Sequence, residues 1–227
     1  MNKPTHYYQV QRAEVVSLLP EHYSCVLEIG CGAGAFRRNL NQQHEYWGVE
    51  PVTSIAEIAK GNLTKVLVGT YKEVEHMIPS NYFDLIVCND VIEHTPDHDE
   101  FFQSIKEKLR KDGSLVASIP NVRYVGNLWE LLVKKDWEYK NWGILDKTHL
   151  RFFTRKSLLR TLDKNAFLVE QITGLNRFRP PSLPSRIIYW FALLLLGQDI
   201  KFLQFGIRIK DAQASDESFQ PICKGGG

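Results

Sequence analysis

The sequence predicts an α/β fold in which a mostly parallel sheet is covered by helices on both faces. Three features predict it. Short apolar runs rich in Val, Ile and Leu recur along the chain, segments with helical spacing alternate with them, and the first run ends in a turn with Gly30, Gly32 and Gly34 on alternate positions. Continuous apolar runs suit strands buried on both faces, the condition of a parallel sheet between helical layers. A chain of 227 residues is long enough for one sizeable core of this kind and short for two.

Taken in order, Tyr8, Val15, Val16, Leu18 and Leu19 recur at helical spacing until Pro20, which predicts an N-terminal helix. Five apolar runs follow as strands: Cys25 to Ile29, Tyr46 to Val49, Lys65 to Val68, Phe83 to Cys88 and Leu115 to Ile119. The segment Asp97 to Arg110 reads as a helix, because Asp97, Asp99 and Glu100 crowd its start and Lys106, Lys108 and Arg110 its end, matching the helix dipole. Asp112-Gly113 then predicts a turn into the next strand. Thr154 is a fitting N-cap for a helix over Arg155 to Lys164, Asn165 ends it, and strands Phe167 to Ile172 and Phe202 to Ile209 complete seven.

A net charge of +2 with 24% charged residues gives no ground to expect nucleic acid, which needs a concentrated basic surface. Cys25, Cys31, Cys88 and Cys223 form no Cys-x-x-Cys pair and read as reduced thiols. The first residues lack the apolar core of a signal peptide, so the expected location is cytoplasmic. The end, 211–227, is polar and expected to be a disordered tail, leaving one domain over 1–210.

The glycine turn carries the chemistry. A buried strand that stops in glycines lets a ligand approach the backbone, and a following helix offers free N–H groups. Gly30-x-Gly32-x-x-Ala35 with Glu50 downstream also satisfies the dinucleotide fingerprint. Glu28 argues against that reading, because a carboxylate two residues before the first glycine repels a pyrophosphate and attracts a cation.

The arrangement Glu28-x-Gly30-x-Gly32-x-Gly34, with Glu50 ending a second strand, resembles the first two motifs of the class I S-adenosylmethionine-dependent methyltransferases. The resemblance extends from Tyr8 to Lys210 and implies a Rossmann-like seven-stranded sheet whose last strand inserts antiparallel beside the sixth. It also implies S-adenosylmethionine as cofactor, a cation with no phosphate. Glu28 and the glycines are then expected to hold its methionine part, and Glu50 its ribose hydroxyls. Asn89, at the end of the fourth strand, is expected to touch it through the main chain. Thr70 or Tyr71 stand where many relatives carry an acid that contacts the adenine, a departure from the family pattern. Tyr8 and Arg12 match a Tyr-x-x-x-Arg pattern of relatives, which nominates Arg12 for the cofactor carboxylate.

Methyl transfer to an alcohol needs aligned groups and a base. The segment Gly143 to Thr154, with Asn121 ahead of it, resembles bacterial methyltransferases associated with glycosyltransferases of surface-polysaccharide synthesis. It nominates His149 as base with Asp146 beside it, and Asn121, Trp142 and Arg151 as acceptor contacts. The expected reaction is O-methylation of a sugar hydroxyl of a cell-surface glycan or its precursor. A structural role for Asp146, His149 and Arg151 stays open beside it. A first rival is a metal-assisted O-methyltransferase of a phenolic or quinone ring using Asp90, Glu93 and His94, although no metal is the expectation here. A second rival is a non-catalytic cofactor-binding partner of a glycosyltransferase or membrane.

Two inserts exceed a minimal fold. The first, 122–153, carries Trp129, Trp137 and Trp142, and from Val122 to Lys164 ten Lys or Arg face five Asp or Glu, which suits an anionic acceptor. The second, 177–201, holds ten apolar residues from Ile187 to Leu196, too few to span a bilayer, which takes about 20. With Arg177, Arg179, Arg186 and Lys201 around it, this stretch reads as a cover, a dimer contact or a peripheral membrane contact.

Overall fold

A computed structural model describes residues 8–40 and 44–213. Cys223 and most of the expected tail lie outside these residues. Seven strands form one sheet in the order β3-β2-β1-β4-β5-β7-β6. They are β1 (Cys25–Ile29), β2 (Glu45–Glu50), β3 (Lys65–Val68), β4 (Phe83–Asn89), β5 (Leu109–Pro120), β6 (Phe167–Arg177) and β7 (Phe202–Asp211). The first five pair in parallel, and β7 runs antiparallel between β5 and β6, with Ala117 opposite Ile207 and Ile172 opposite the same residue on the other side. The expected sheet and its reversed last strand are both present.

The helices are α1 (Thr53–Ala59), α2 (Tyr71–Val74), α3 (His98–Lys108), α4 (Val125–Trp129), α5 (Arg155–Lys164) and α6 (Leu183–Leu196). Asp97 caps α3 by accepting from the Glu100 amide, and Thr154 caps α5 by accepting from the Ser157 amide. One core layer joins Leu27, Ile29, Ile86, Phe102, Ile105 and Leu158 on one face of the sheet; the other joins Val15, Leu18, Val26, Phe36, Leu85 and Val116. Every β1 residue is buried, as a central parallel strand requires. Cys25, Cys31 and Cys88 are buried and free.

Four local expectations are corrected. The N-terminal helix is only a 3-10 turn over Ala13–Leu18, because Arg12 stands in the left-handed region at φ 53 and breaks any helix through Tyr8. The glycine turn leads into another short 3-10 turn, Ala35–Asn39, so no regular helix offers its N-terminus there. Asp112-Gly113 does not separate helix from strand: β5 starts at Leu109, and the dipeptide sits in a bulge where Phe83 pairs Leu109 but Leu85 pairs Ser114. Asp211, expected in the tail, ends β7 and pairs with Lys106 at 2.9 Å.

Candidate active site

The carboxyl ends of β1, β2 and β4 bound a cavity of about 700 Å³, at the position where open α/β sheets collect ligands. Glu28, Gly30, Gly32, Glu50, Thr70, Tyr71, Asn89 and Arg12 all line it. The sheet thus brings together residues far apart in sequence, such as Arg12 and Asp90, which stand 78 positions apart. Gly34 is the exception among the expected cofactor residues: it faces Asn62 and Leu63, so it serves packing behind the loop.

Gly32 shows why the turn needs glycine. Its φ is +52, and a Cβ there would lie 2.7 Å from the Tyr8 carbonyl oxygen. That carbonyl accepts from the Ala33 amide at 2.9 Å, so the N-terminal segment crosses the loop and closes one wall of the cavity. The requirement for no side chain comes from the protein's own backbone as much as from a ligand.

Glu50 is 3% exposed and uses one lone pair of each oxygen, accepting from the Gly32 amide at 3.0 Å and the Val52 amide at 2.9 Å. A carboxylate has about four acceptor positions, which leaves capacity for two ribose hydroxyls. Burial raises its pKa, and the two amides oppose that shift. Glu28 is 4% exposed and accepts from the Tyr46 hydroxyl at 2.9 Å. Burial pushes its carboxyl up to about 8, against the Tyr46 hydrogen bond and with help from the Glu50 charge. The Asn89 side-chain amide is buried at the cavity wall with no hydrogen-bond partner among the described residues. Such an orphan needs a partner, and a bound ligand can supply it.

The lining is acidic. Glu28, Glu50, Glu75, Asp90, Asp97 and Glu100 face it, against only Arg12 and Lys72 as fixed cations. Both cations are already matched, Arg12 to Asp90 and Glu14, and Lys72 to Glu100. This surface suits a sulfonium and an ammonium and opposes a dinucleotide pyrophosphate. Arg12 also donates to Ser118 Oγ at 2.8 Å, so it arrives at the cavity already held in a network. Thr70 and Tyr71 open α2, where the Thr70 amide donates to Glu73 at 2.8 Å, while Tyr71 bonds Ser104 through its hydroxyl at 2.6 Å and sets its ring edge-on to Phe101. Phe101 and Val91, unremarked in the sequence, add apolar walls fit for a purine.

The expected catalytic segment reaches this site from the side. The Leu150 and Arg151 amides both donate to the Glu93 carbonyl, at 2.9 and 3.2 Å, which clamps the insert to the turn after β4. His149 is not on the cavity wall; His94 is, with the two rings edge-on at 4.7 Å between centroids. His149 Nδ1 donates to the Ile144 carbonyl at 2.9 Å, and His94 Nδ1 to the Thr148 carbonyl at 3.0 Å. A carbonyl only accepts, so in the neutral form of each ring the lone pair lies on Nε2. His149 Nε2 lies 3.8 Å from the buried Glu93 carboxylate. Burial, and then the neighbouring His94, lower the His149 pKa and keep it neutral.

Several expected roles change. Asp146 is buried and accepts from the Thr148 amide and hydroxyl at 2.9 and 2.7 Å, which builds the turn, and its charge acts on the His149 ring, which the Glu93 carboxylate also faces. Asn121 is fully buried, with both amide hydrogens given to the Asp199 and Phe202 carbonyls at 2.9 Å and its oxygen accepting from the Arg123 amide. It ties β5 to β7 and has no face for an acceptor. Trp142 is 70% exposed and away from the cavity wall. Arg151 donates to the carbonyl of Pro96, a wall residue, and so stands at the rim. Asp90 is tied to Arg12 and Gln204, and the cluster with metal-ligand spacing is Glu93, His94 and His149, whose ligand atoms lie within 4.8 Å of one another.

Comparison with known proteins agrees with this geometry. Residues 5–172 match the methyltransferase-domain family. The chain belongs to that family. A ubiquinone biosynthesis O-methyltransferase of Rickettsia bellii is 22% identical over 175 residues, 71% of this chain and 70% of that one. An (S)-coclaurine N-methyltransferase of Thalictrum flavum is 26% identical over 214 residues, 77% of this chain and 58% of the relative. Among solved structures, an S-adenosylmethionine-dependent methyltransferase of Archaeoglobus fulgidus superposes with a TM-score of 0.65 at 17% identity, covering 91% of this chain and 94% of that one. This methyltransferase therefore takes S-adenosylmethionine as cofactor, and the acidic cavity, the spare Glu50 acceptors and the orphaned Asn89 amide fit that molecule.

Proposed function

We propose that this methyltransferase acts on an oxygen, most specifically a sugar hydroxyl of a cell-surface glycan or its precursor. The bound cofactor supplies a methyl carbon already activated by its sulfonium, and the protein's part is to align the acceptor and take its proton. The observation that carries the reading is the imidazole pair beside the cavity. His94 on the wall and His149 behind it both give Nδ1 to a carbonyl, which leaves Nε2 of the neutral ring as the acceptor, and the buried Glu93 carboxylate stands next to them to stabilise a proton once it arrives. A hydroxyl acceptor needs such a base. The excess of Lys and Arg from Val122 to Lys164 favours an anionic acceptor such as a diphosphate-linked sugar.

The test is transfer of labelled methyl to nucleotide sugars and glycan fragments. His94→Ala and His149→Ala should each lower turnover by about 10²-fold or more with cofactor affinity unchanged. Loss of thermal stability without loss of turnover per folded molecule contradicts the base reading.

A second reading has its own support. Glu93, His94 and His149 offer a carboxylate and two imidazoles with the Nδ1 hydrogens already given to carbonyls, the orientation of metal-binding histidines. A divalent ion there would lower the pKa of a phenolic or sugar hydroxyl directly, and the ubiquinone biosynthesis O-methyltransferase likeness favours a phenolic ring. Activity abolished by chelation and restored by a divalent ion selects this reading; activity indifferent to chelator selects the first.

A further inference from the structure

Helix α6 is apolar almost all the way round, yet only one side of it is covered. Tyr189 is buried, with Ala192 and Leu193 half-buried beside it, and the Phe178 ring packs edge-on between Tyr189 and Tyr124 to fix this side to the exit of β5. The outward arc holds Leu183, Ile187, Ile188, Trp190, Phe191, Leu194 and Leu195, all exposed, Leu195 at 83%. A docked helix with this outward face is not a water-facing element. At 14 residues it is also too short to cross a bilayer, and no helix among the described residues is long and apolar enough to do so.

The surrounding charge identifies the occupant. No Asp or Glu occurs from Arg177 to Gln198, and Arg177, Arg179 and Arg186 have no carboxylate partner among the described residues. Arg186 lies on α6 at the border between its covered and open sides. A second copy of the chain meeting this face about a two-fold axis would set these arginines against their own copies. An anionic lipid surface instead complements them, and Trp190 has the amphipathic ring that favours the headgroup boundary.

The topology sets the direction. Gln204 of β7 pairs Pro120 at the carboxyl end of β5, and the Arg123 guanidinium donates to the Leu196 carbonyl, so α6 ends on the same edge of the sheet as the cofactor cavity. We propose that α6 is an interfacial anchor that dips Ile187, Phe191 and Leu194 into an anionic membrane, with Arg177, Arg179 and Arg186 at the headgroups and the cavity held near the lipid surface. With the glycan reading above, on which this clause alone rests, the acceptor is presented on a lipid carrier.

The experiment is cosedimentation of the full chain with vesicles of phosphatidylcholine alone and of equimolar phosphatidylcholine and phosphatidylglycerol. Wild type should partition to the anionic vesicles. Ile187→Ser/Phe191→Ser/Leu194→Ser should lower that partition at least about tenfold, and Arg177→Gln/Arg179→Gln/Arg186→Gln about fivefold per arginine on anionic vesicles only. Calorimetric cofactor affinity should stay unchanged in both variants; if the serine variant loses it through misfolding, the arginine variant carries the test. Absence of wild-type partition, partition indifferent to both variants, or a dimer that the serine variant turns into a monomer overturns the proposal. Cofactor binding and methyl transfer are read separately, so failure here leaves the functional reading standing.

Discussion

Glu28 gives a prediction whose size follows from its surroundings. Its carboxyl, 4% exposed and pushed up to about 8 by burial, is mostly protonated at pH 7 when no cation is near. The cationic cofactor favours the ionised form, so binding at pH 7 should release close to one proton, about 0.9 for a group with that pKa. Calorimetry in phosphate and in Tris reads this directly, because the two buffers absorb the proton with different heats. Apparent affinity should rise with pH up to about 8 and then level off. Glu28→Gln keeps a partner for the Tyr46 hydroxyl but cannot ionise, so proton release should vanish and affinity fall by about 1.5–3 kcal/mol, the worth of a hydrogen bond to a charged group. Stability follows the same logic with the sign of a raised pKa. The contribution is fully present below the unfolded value of 4.5 and is lost as pH rises through about 8, so the cofactor-free protein should weaken over that window by up to about 5 kcal/mol. Glu28→Gln should flatten that loss. Identical heats in the two buffers at pH 7 refute the reasoning.

The other consequences concern positions whose roles the structure defines. Gly32→Ala places a Cβ against the Tyr8 carbonyl, displaces the N-terminal wall of the cavity, and should cost at least about tenfold in cofactor affinity by calorimetry. Glu50→Ala removes the acceptor for the Gly32 and Val52 amides and should weaken cofactor binding by about 1.5–3 kcal/mol; unchanged affinity removes Glu50 from the site. Asn121→Ala removes the donor to the Asp199 and Phe202 carbonyls and should lower the melting temperature by about 4–8 °C with acceptor KM unchanged, since the side-chain amide is already engaged with backbone.

Much of the fold was legible because its signals are local. Five-residue apolar runs such as Cys25–Ile29 can only be buried strands in this context, and Asp97 and Thr154 cap helices by side-chain chemistry that sequence displays. Boundaries failed where tertiary geometry decides them. Nothing in the spacing of Tyr8 and Arg12 announces a left-handed Arg12, whose guanidinium reaches Asp90, Ser118 and Gln204 across the sheet. The cofactor side was readable for a chemical reason: an acid beside glycines can ionise to meet a cation, and its ionised form repels phosphates. The acceptor side was not, because it depends on which of several polar residues the insert turns inward. Asp146, Asn121 and His149 are all buried by hydrogen bonds to backbone, and His94 takes the wall position that the motif alone gave to His149. Phe101 gave no signal of its own, being one aromatic in an amphipathic helix.

The central claim is that an acidic cavity behind the glycine turn holds S-adenosylmethionine. Its most direct test is a calorimetric titration of the purified chain with S-adenosylmethionine and, separately, with NAD. Saturable one-to-one binding of the first and no heat from the second is the predicted result; binding of NAD with indifference to S-adenosylmethionine contradicts it.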